Sequence, residues 1–265
     1  MFIDFPAISP VIFSIGSFSL RWYALAYLIG IISAWLLVKK NIIKYKIDIS
    51  FEQLDDIVFY TTLGIILGGR IGYVLCYGGN YFIKNPFEIF AIWHGGMSFH
   101  GGIVGVIIGL CYFCYKYKFK FLKITDLVAL YVPIGIFLGR IANFINDELW
   151  GRVTTVPWAV KFPNGGYLPR HPSQLYEALS EGLLMFLILN FLWKKEFVRN
   201  HYGIISSAFL ITYAISRMCM EFFREPDAQI GFIAKYITMG QLLSLPFLFL
   251  GIFILYRSTK TETKP

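Results

Sequence analysis

Residues 127–151 read LVALYVPIGIFLGRIANFINDELWG. The first nineteen are apolar apart from Arg140, Asn143 and a tyrosine, and Asn146, Asp147 and Glu148 then follow at once. A run of that length matches the roughly 20 mostly apolar residues that a helix needs to cross hydrocarbon. Six more runs resemble it, near 20–38, 57–77, 98–115, 174–193, 203–223 and 240–256. With 57% hydrophobic and 15% charged residues and a mean hydropathy of +0.61, the 265-residue chain is far from the composition of a soluble domain. The fold class expected is an all-α polytopic membrane protein of about seven transmembrane helices. Residues 1–265 read as one integral-membrane domain, with 146–173 as a small outer head between the fourth and fifth helices. The start, MFIDFPAISP, has prolines and an acid where a secretory signal needs a basic patch and an apolar core, so no cleaved signal is expected.

The formal net charge of +8 is spread among loops, which argues for a membrane orientation signal and against nucleic acid. With the amino terminus outside, the inner loops and tail carry fourteen Lys and Arg residues and the longer outer segments seven. That bias puts the amino terminus outside and the carboxyl terminus in the cytoplasm. The other three basic residues, Arg70, Arg140 and Arg217, lie inside apolar runs, 13 or 14 residues past the start of an outward-running helix. At ~1.5 Å per residue each is about 20 Å into a core of about 30 Å, so all three belong to the outer half of the bilayer.

Other polar groups gather at the same level. The third run opens with WHGGMSFHGG, placing His94 and His100 at its outer mouth; the fifth opens with HPSQLYE, bringing His171 and Glu177; and LRWYALAY puts Tyr23 at the outer end of the first. The inner halves are almost bare of charge. Glu177 and Glu181 are four residues apart, as are Arg217 and Glu221, and for the latter pair the spacing suits an ion pair that takes both charges into the membrane or a ligand-binding arginine with its counter-ion. Glu181 reads as a structural partner. Glycines at four-residue spacing (Gly64 and Gly68; Gly101, Gly105 and Gly109; Gly135 and Gly139) read as close helix packing, while Gly101 and Gly102 could also clear space beside His100. The segment 150–173, rich in proline and holding a PNGG turn, reads as a compact hairpin whose Arg152, Lys161 and Arg170 are solvated charges. Trp22, Trp93, Trp150 and Trp158 fit an aromatic belt. The lone Cys111-x-x-Cys114 pair has no second ligand pair, so no metal site is expected and the cysteines read as packing residues.

Arginines at outer-leaflet depth suit a phosphate, because a guanidinium fork bonds two phosphate oxygens and keeps its charge when desolvated. Two function classes fit that chemistry: an enzyme acting on a phospholipid headgroup, and a transporter or flippase for anionic lipids. A transporter needs polar residues along a path to both faces, and the bare inner halves favour the enzyme.

The stretch GRIANFINDELWG (139–151) is similar to the signature of the prolipoprotein diacylglyceryl transferases, bacterial inner-membrane enzymes. VIFSIG and RWY near the start, GGRIGYV, GGMSFHGG, RHPSQLYE, EFFREPDAQ and MGQLLS resemble that family's blocks in the same order, from residue 11 to about 245. The chain departs from it at Asp147, where many members have glycine. The resemblance implies transfer of the diacylglyceryl group of phosphatidylglycerol to the thiol of a prolipoprotein lipobox cysteine, on the outer side of the inner membrane, with glycerol phosphate released. It implies no cofactor, and its partners are the two substrates and the surrounding lipid. Carried onto this sequence, it makes Arg140 and Arg217 the phosphate clamps and His100 the base or the group that positions the thiol. Tyr23 matches a further catalytic position. Asn143, Glu148, Gly151 and Glu221 match positions that bind the headgroup or hold the arginines, with Arg70 and Glu177 in support.

Overall fold

Each apolar run is helical over most of its length, because a backbone without water must close its hydrogen bonds within the segment. In the computed structural model the described residues are 2–6, 8–16, 18–166, 168–226, 231–233 and 237–260. Eight main helices follow one another: α1 (Trp22–Tyr45), α2 (Phe51–Tyr77), α3 (Phe99–Tyr117), α4 (Phe121–Ala129), α5 (Val132–Ile145), α6 (Ser173–Trp193), α7 (Ile204–Met220) and α8 (Met239–Lys260). Five of them, α1, α2, α3, α6 and α8, are long and apolar enough to cross a membrane. A sixth span is made if α4 and α5 are taken together; they bend by 40° across a break where Pro133 enters the first turn of α5. The apolar α7 is shorter, at 17 residues. Leu28, Leu75, Ile107, Leu187 and Phe249 stand exposed on these helices, as side chains facing hydrocarbon do. The chain is thus an all-α, multi-pass membrane protein.

Two compact units divide the chain: residues 35–125 form one, and residues 1–34 with 126–265 form the other. In the first, α2 starts from a reciprocal cap in which Ser50 and Gln53 bond each other's backbone N–H. It lies against α3 through glycines. A Cβ on Gly64 would sit 2.6 Å from the Gly105 carbonyl carbon, and one on Gly101 would sit 2.9 Å from the Gly72 Cα. Backbones this close exclude every larger residue, so Gly64, Gly68, Gly101 and Gly105 serve packing, whereas Gly102 has ordinary room.

In the second unit, the antiparallel strands β1 (Val11–Ile15) and β2 (Phe18–Arg21) lead into α1. Gly30 of α1 approaches Gly135 of α5 closely: a Cβ on Gly30 would lie 3.1 Å from the Gly135 Cα. The start of α7 is capped from a distance by the buried Asp126, whose carboxylate accepts Gly203 N–H at 2.6 Å and Ser206 N–H at 2.7 Å. This cap fixes the axial position of the helix that carries Arg217. Helix α6 is not regular. Residues Ala178–Leu184 form a π segment, which takes one extra residue into the turn.

The segment expected to be a hairpin has no continuous two-stranded ladder among its described residues. Isolated antiparallel bridges join Val153 and Val160 to Arg170 and join Gly151 to Arg224, and Val160–Lys161 pairs in parallel with Ile3–Asp4. The PNGG stretch makes a single 3-10 turn, Pro163–Gly165. Arg152 and Arg170 are not solvated as expected. Arg170 donates to the carbonyls of Gly165 and Gly151 and to Glu225, with its guanidinium 4.4 Å from the Trp150 ring centre. An arginine can organise a loop in this way because its five donors spread in a plane.

Candidate active site

Six charged side chains from α5, α6 and the end of α7 make one network in the second unit. Arg140 reaches Glu177 at 2.7 Å and Glu181 at 2.8 Å through its two terminal nitrogens. Arg217 reaches Glu177 at 3.1 Å and pairs closely with Glu221 one turn later. Arg224 comes within 3.5 Å of Glu177 and 3.9 Å of Glu221. Three positive charges meet three negative ones, and Glu177 and Glu181 are fully buried. The balance is required. A buried charge without a partner costs several kcal/mol, roughly 3 to 5 when one member of a pair is removed. Oε1 of Glu177 and Oε1 of Glu181 accept no hydrogen bond, although the latter lies 3.9 Å from Arg217.

Beside the network runs a chain of neutral contacts. The buried Asn143, one turn after Arg140, donates to the Tyr23 hydroxyl and to Glu148, both at 2.8 Å. Asn146 also leans on Glu148, and the Gln174 amide donates to the Glu148 carbonyl at 2.7 Å. Arg152 donates to the Arg224 carbonyl at 2.9 Å and the Glu221 carbonyl at 3.0 Å, holding the chain where it leaves α7. Gly151 lies at the crossing of these segments. Its N–H donates to the His171 carbonyl, and a Cβ there would stand 2.5 Å from the Phe223 oxygen and 2.6 Å from the His171 Cβ. Burial pushes the His171 imidazole pKa below its ordinary value, so the neutral ring is the form that this crossing accommodates.

Of the residues singled out from sequence, Arg140, Arg217, Glu177 and Glu221 are joined in the network, and Tyr23, Asn143 and Glu148 in the chain beside it. Two belong to the other unit. His100 is exposed in the first turn of α3, its ring edge-on to Phe99 at 5.6 Å between centroids. Arg70 is almost wholly buried and donates to the carbonyls of Glu88, Ile89, Gly95 and Gly96. These bonds take up most of its fork, and they tie the loop after α2 to that helix. Sequence reasoning counted it with the other two arginines; its partners are backbone oxygens instead of carboxylates. Glu181 is the structural partner expected of it, paired with Arg140, whereas Arg224, one of the seven basic residues of the expected outer segments, was not recognised, although its place three residues after Glu221 was a signal.

A double fork of arginines within apolar helices can hold a phosphate ester, with the carboxylates keeping the guanidinium planes aligned. The model of the family described as prolipoprotein diacylglyceryl transferase matches residues 10–257. This chain belongs to that family. A protein of Rickettsia felis is 51% identical over 96% of this chain and 98% of its own length. One of Rhodospirillum rubrum is 50% identical over 99% and 97%, and one of Pseudoalteromonas translucida 50% over 100% and 98%. Each is named phosphatidylglycerol–prolipoprotein diacylglyceryl transferase. Within the diacylglyceryl transferase signature, the departure at Asp147 has a local account. Its φ is +52°, a conformation natural to glycine, and its carboxylate accepts the Asn164 N–H at 2.6 Å. That bond ties the end of α5 to the 3-10 turn and offsets the backbone strain.

Proposed function

We propose that this protein, a transferase of the family just described, moves the diacylglyceryl group of phosphatidylglycerol to the thiol of a prolipoprotein lipobox cysteine, the first step of lipoprotein maturation. The observation that carries this reading is the buried arginine–glutamate network in a chain about half identical to enzymes named for that reaction. The cysteine sulfur attacks the glyceryl carbon bonded to the phosphate ester oxygen. A C–S bond forms, the C–O bond breaks with its electron pair staying on oxygen, and glycerol phosphate leaves with a second negative charge. Arg140 grips the phosphate, Arg217 acts as a second clamp, and both gain most as that charge develops. Glu177 and Glu221 hold the two arginines. Asn143, Glu148 and Tyr23 line the headgroup side, and Gly151 lets the backbone pass. A free thiol of pKa ~8.5 is only a few per cent ionised at neutral pH, so a proton acceptor accelerates attack, and His100 takes that role or positions the thiol.

The membrane arrangement belongs to the same reading: seven spans with α7 among them, 146–173 as an outer head on a single membrane domain, the amino terminus outside, the tail in the cytoplasm, and the site toward the outer leaflet of a bacterial inner membrane. The test combines purified protein, phosphatidylglycerol labelled in its acyl chains and a lipobox-containing prolipoprotein. Label is expected on the cysteine. A folded preparation that leaves the cysteine unlabelled, or that only moves phosphatidylglycerol between leaflets, would overturn the reading. Near-normal turnover of His100→Gln from pH 6 to 8 would remove that imidazole as an obligatory base.

A further inference from the structure

The first turn of α8 comes against the network at Gly240. Its start is fixed by a reciprocal cap, with Thr238 N–H on the Gln241 side chain at 3.1 Å and Gln241 N–H on the Thr238 hydroxyl at 3.3 Å. Of the two residues between them, Met239 and Gly240, the glycine faces the Glu221 carboxylate. A Cβ built there would lie 2.6 Å from the Glu221 carboxyl carbon, closer than real Cβ atoms come, and a tight 3.1 Å from its Cγ. At the end of an unattached side chain the clash would be relieved by rotation. Here the carboxylate is held on its other side by Arg217 and faces Arg224, so it can retreat only by leaving them. Glu221 is itself buried, which leaves little room for another rotamer.

We propose that Gly240 is a positioning residue for the transfer reaction: having no side chain, it sets where the Glu221 carboxylate rests and thereby how Arg217 and Arg224 are presented. This rests on the function proposed above. Glu221 is then clamped between an arginine pair and a bare backbone, and the fork of Arg217 is aimed by a helix turn, 239–242, that carries no charge. The arrangement makes a specific suppressor available, because a carboxylate one methylene shorter vacates the space that a methyl group at 240 needs.

The experiment compares kcat/KM for phosphatidylglycerol per folded protein in the wild type, Gly240→Ala, Glu221→Asp, the double variant and Gly251→Ala. Gly251 is a steric control on the same helix: a Cβ there would lie 2.8 Å from an Ile211 side-chain carbon, with none of the network's residues within reach. Gly240→Ala is expected to lose about tenfold or more, and Gly251→Ala to lower the melting temperature while keeping kcat/KM within about twofold. Adding Glu221→Asp to Gly240→Ala is expected to restore about threefold or more, although Glu221→Asp alone is impaired. Wild-type kcat/KM in Gly240→Ala, or a double variant no better than Gly240→Ala, would overturn the inference. If Gly240→Ala does not accumulate folded, the double variant is compared with Glu221→Asp: equal or higher activity supports the inference and lower activity overturns it. A wild type that transfers nothing would refute the proposed function instead.

Discussion

Arg70 and Arg140 are both arginines within apolar helices, and they are neutralised in opposite ways. Arg70 spends its donors on four carbonyls of its own loop, so the positive charge stays and the geometry is locked. Arg140 faces two carboxylates on a neighbouring helix, so the charge is cancelled and the partners are anions. A carbonyl cradle suits a fixed strut. A carboxylate pair holds an arginine in the state a phosphate would require, because one oxyanion can take the place of another on the same fork.

The largest effect separating the two comes from Arg140→Lys. A single point charge cannot serve Glu177 and Glu181 as a fork does, and transfer is expected to fall by roughly 10²-fold or more in kcat/KM, the scale seen when one stabilising donor of a developing oxyanion is lost. A radiolabel assay on protein of verified fold checks it, and a loss below tenfold would make Arg140 as structural as Arg70. The reverse pattern is expected for Arg70→Lys. Several carbonyls lose their partner, so stability should drop by about 2–4 kcal/mol, at roughly 1–3 kcal/mol per orphaned buried group, while kcat/KM per folded molecule stays within a fewfold. Thermal unfolding in detergent, read beside the transfer assay, separates the two outcomes.

Acidification probes the surroundings of the network. Partial burial lowers the pKa of His171 from 6.5 in the fold, so the unfolded chain binds the proton more readily. Its contribution to stability is complete above the ordinary imidazole pKa of 6.5 and is lost as pH falls below it. Unfolding midpoints from pH 7.5 to 5 should therefore decline, and His171→Gln should flatten that decline. The smallest effect is expected from Glu88→Gln. Arg70 bonds the Glu88 carbonyl, while the Glu88 carboxylate meets a half-exposed His94 at 2.8 Å. Exposed pairs of this kind contribute about 0–1 kcal/mol, so the midpoint should barely move, in contrast to any glutamate of the network.

Spacing and hydropathy made the helices legible, since a membrane span imposes both length and composition on the sequence. Arg140, Arg217 and Glu177 were legible because charge inside an apolar run is rare. The partner set of Arg70 was not, because backbone carbonyls carry no residue identity. Arg224 was missed for another reason: it lies just past the apolar run, where arginine is ordinary, and only the fold turns it back toward Glu177. In the segment 150–173, Arg152 and Arg170 looked like surface charge because most of their partners are again carbonyls. The π segment of α6 left no trace at all in the apolar pattern.

That segment places a constraint on chain length as distinct from chain composition. One residue of an α-helix corresponds to about 100° of rotation, and the π turn at 178–184 absorbs one residue beyond the α count. Glu177 lies before the extra residue and Glu181 within the segment, while Met185 and everything after follow its phase. Loss of a single codon between 178 and 184 would let the helix regain regular α geometry with 185–193 still in phase, so its cost would fall on the placement of Glu181 beside Arg140. An in-frame deletion within 185–193, where no extra residue is stored, would instead turn every side chain beyond it by about 100°.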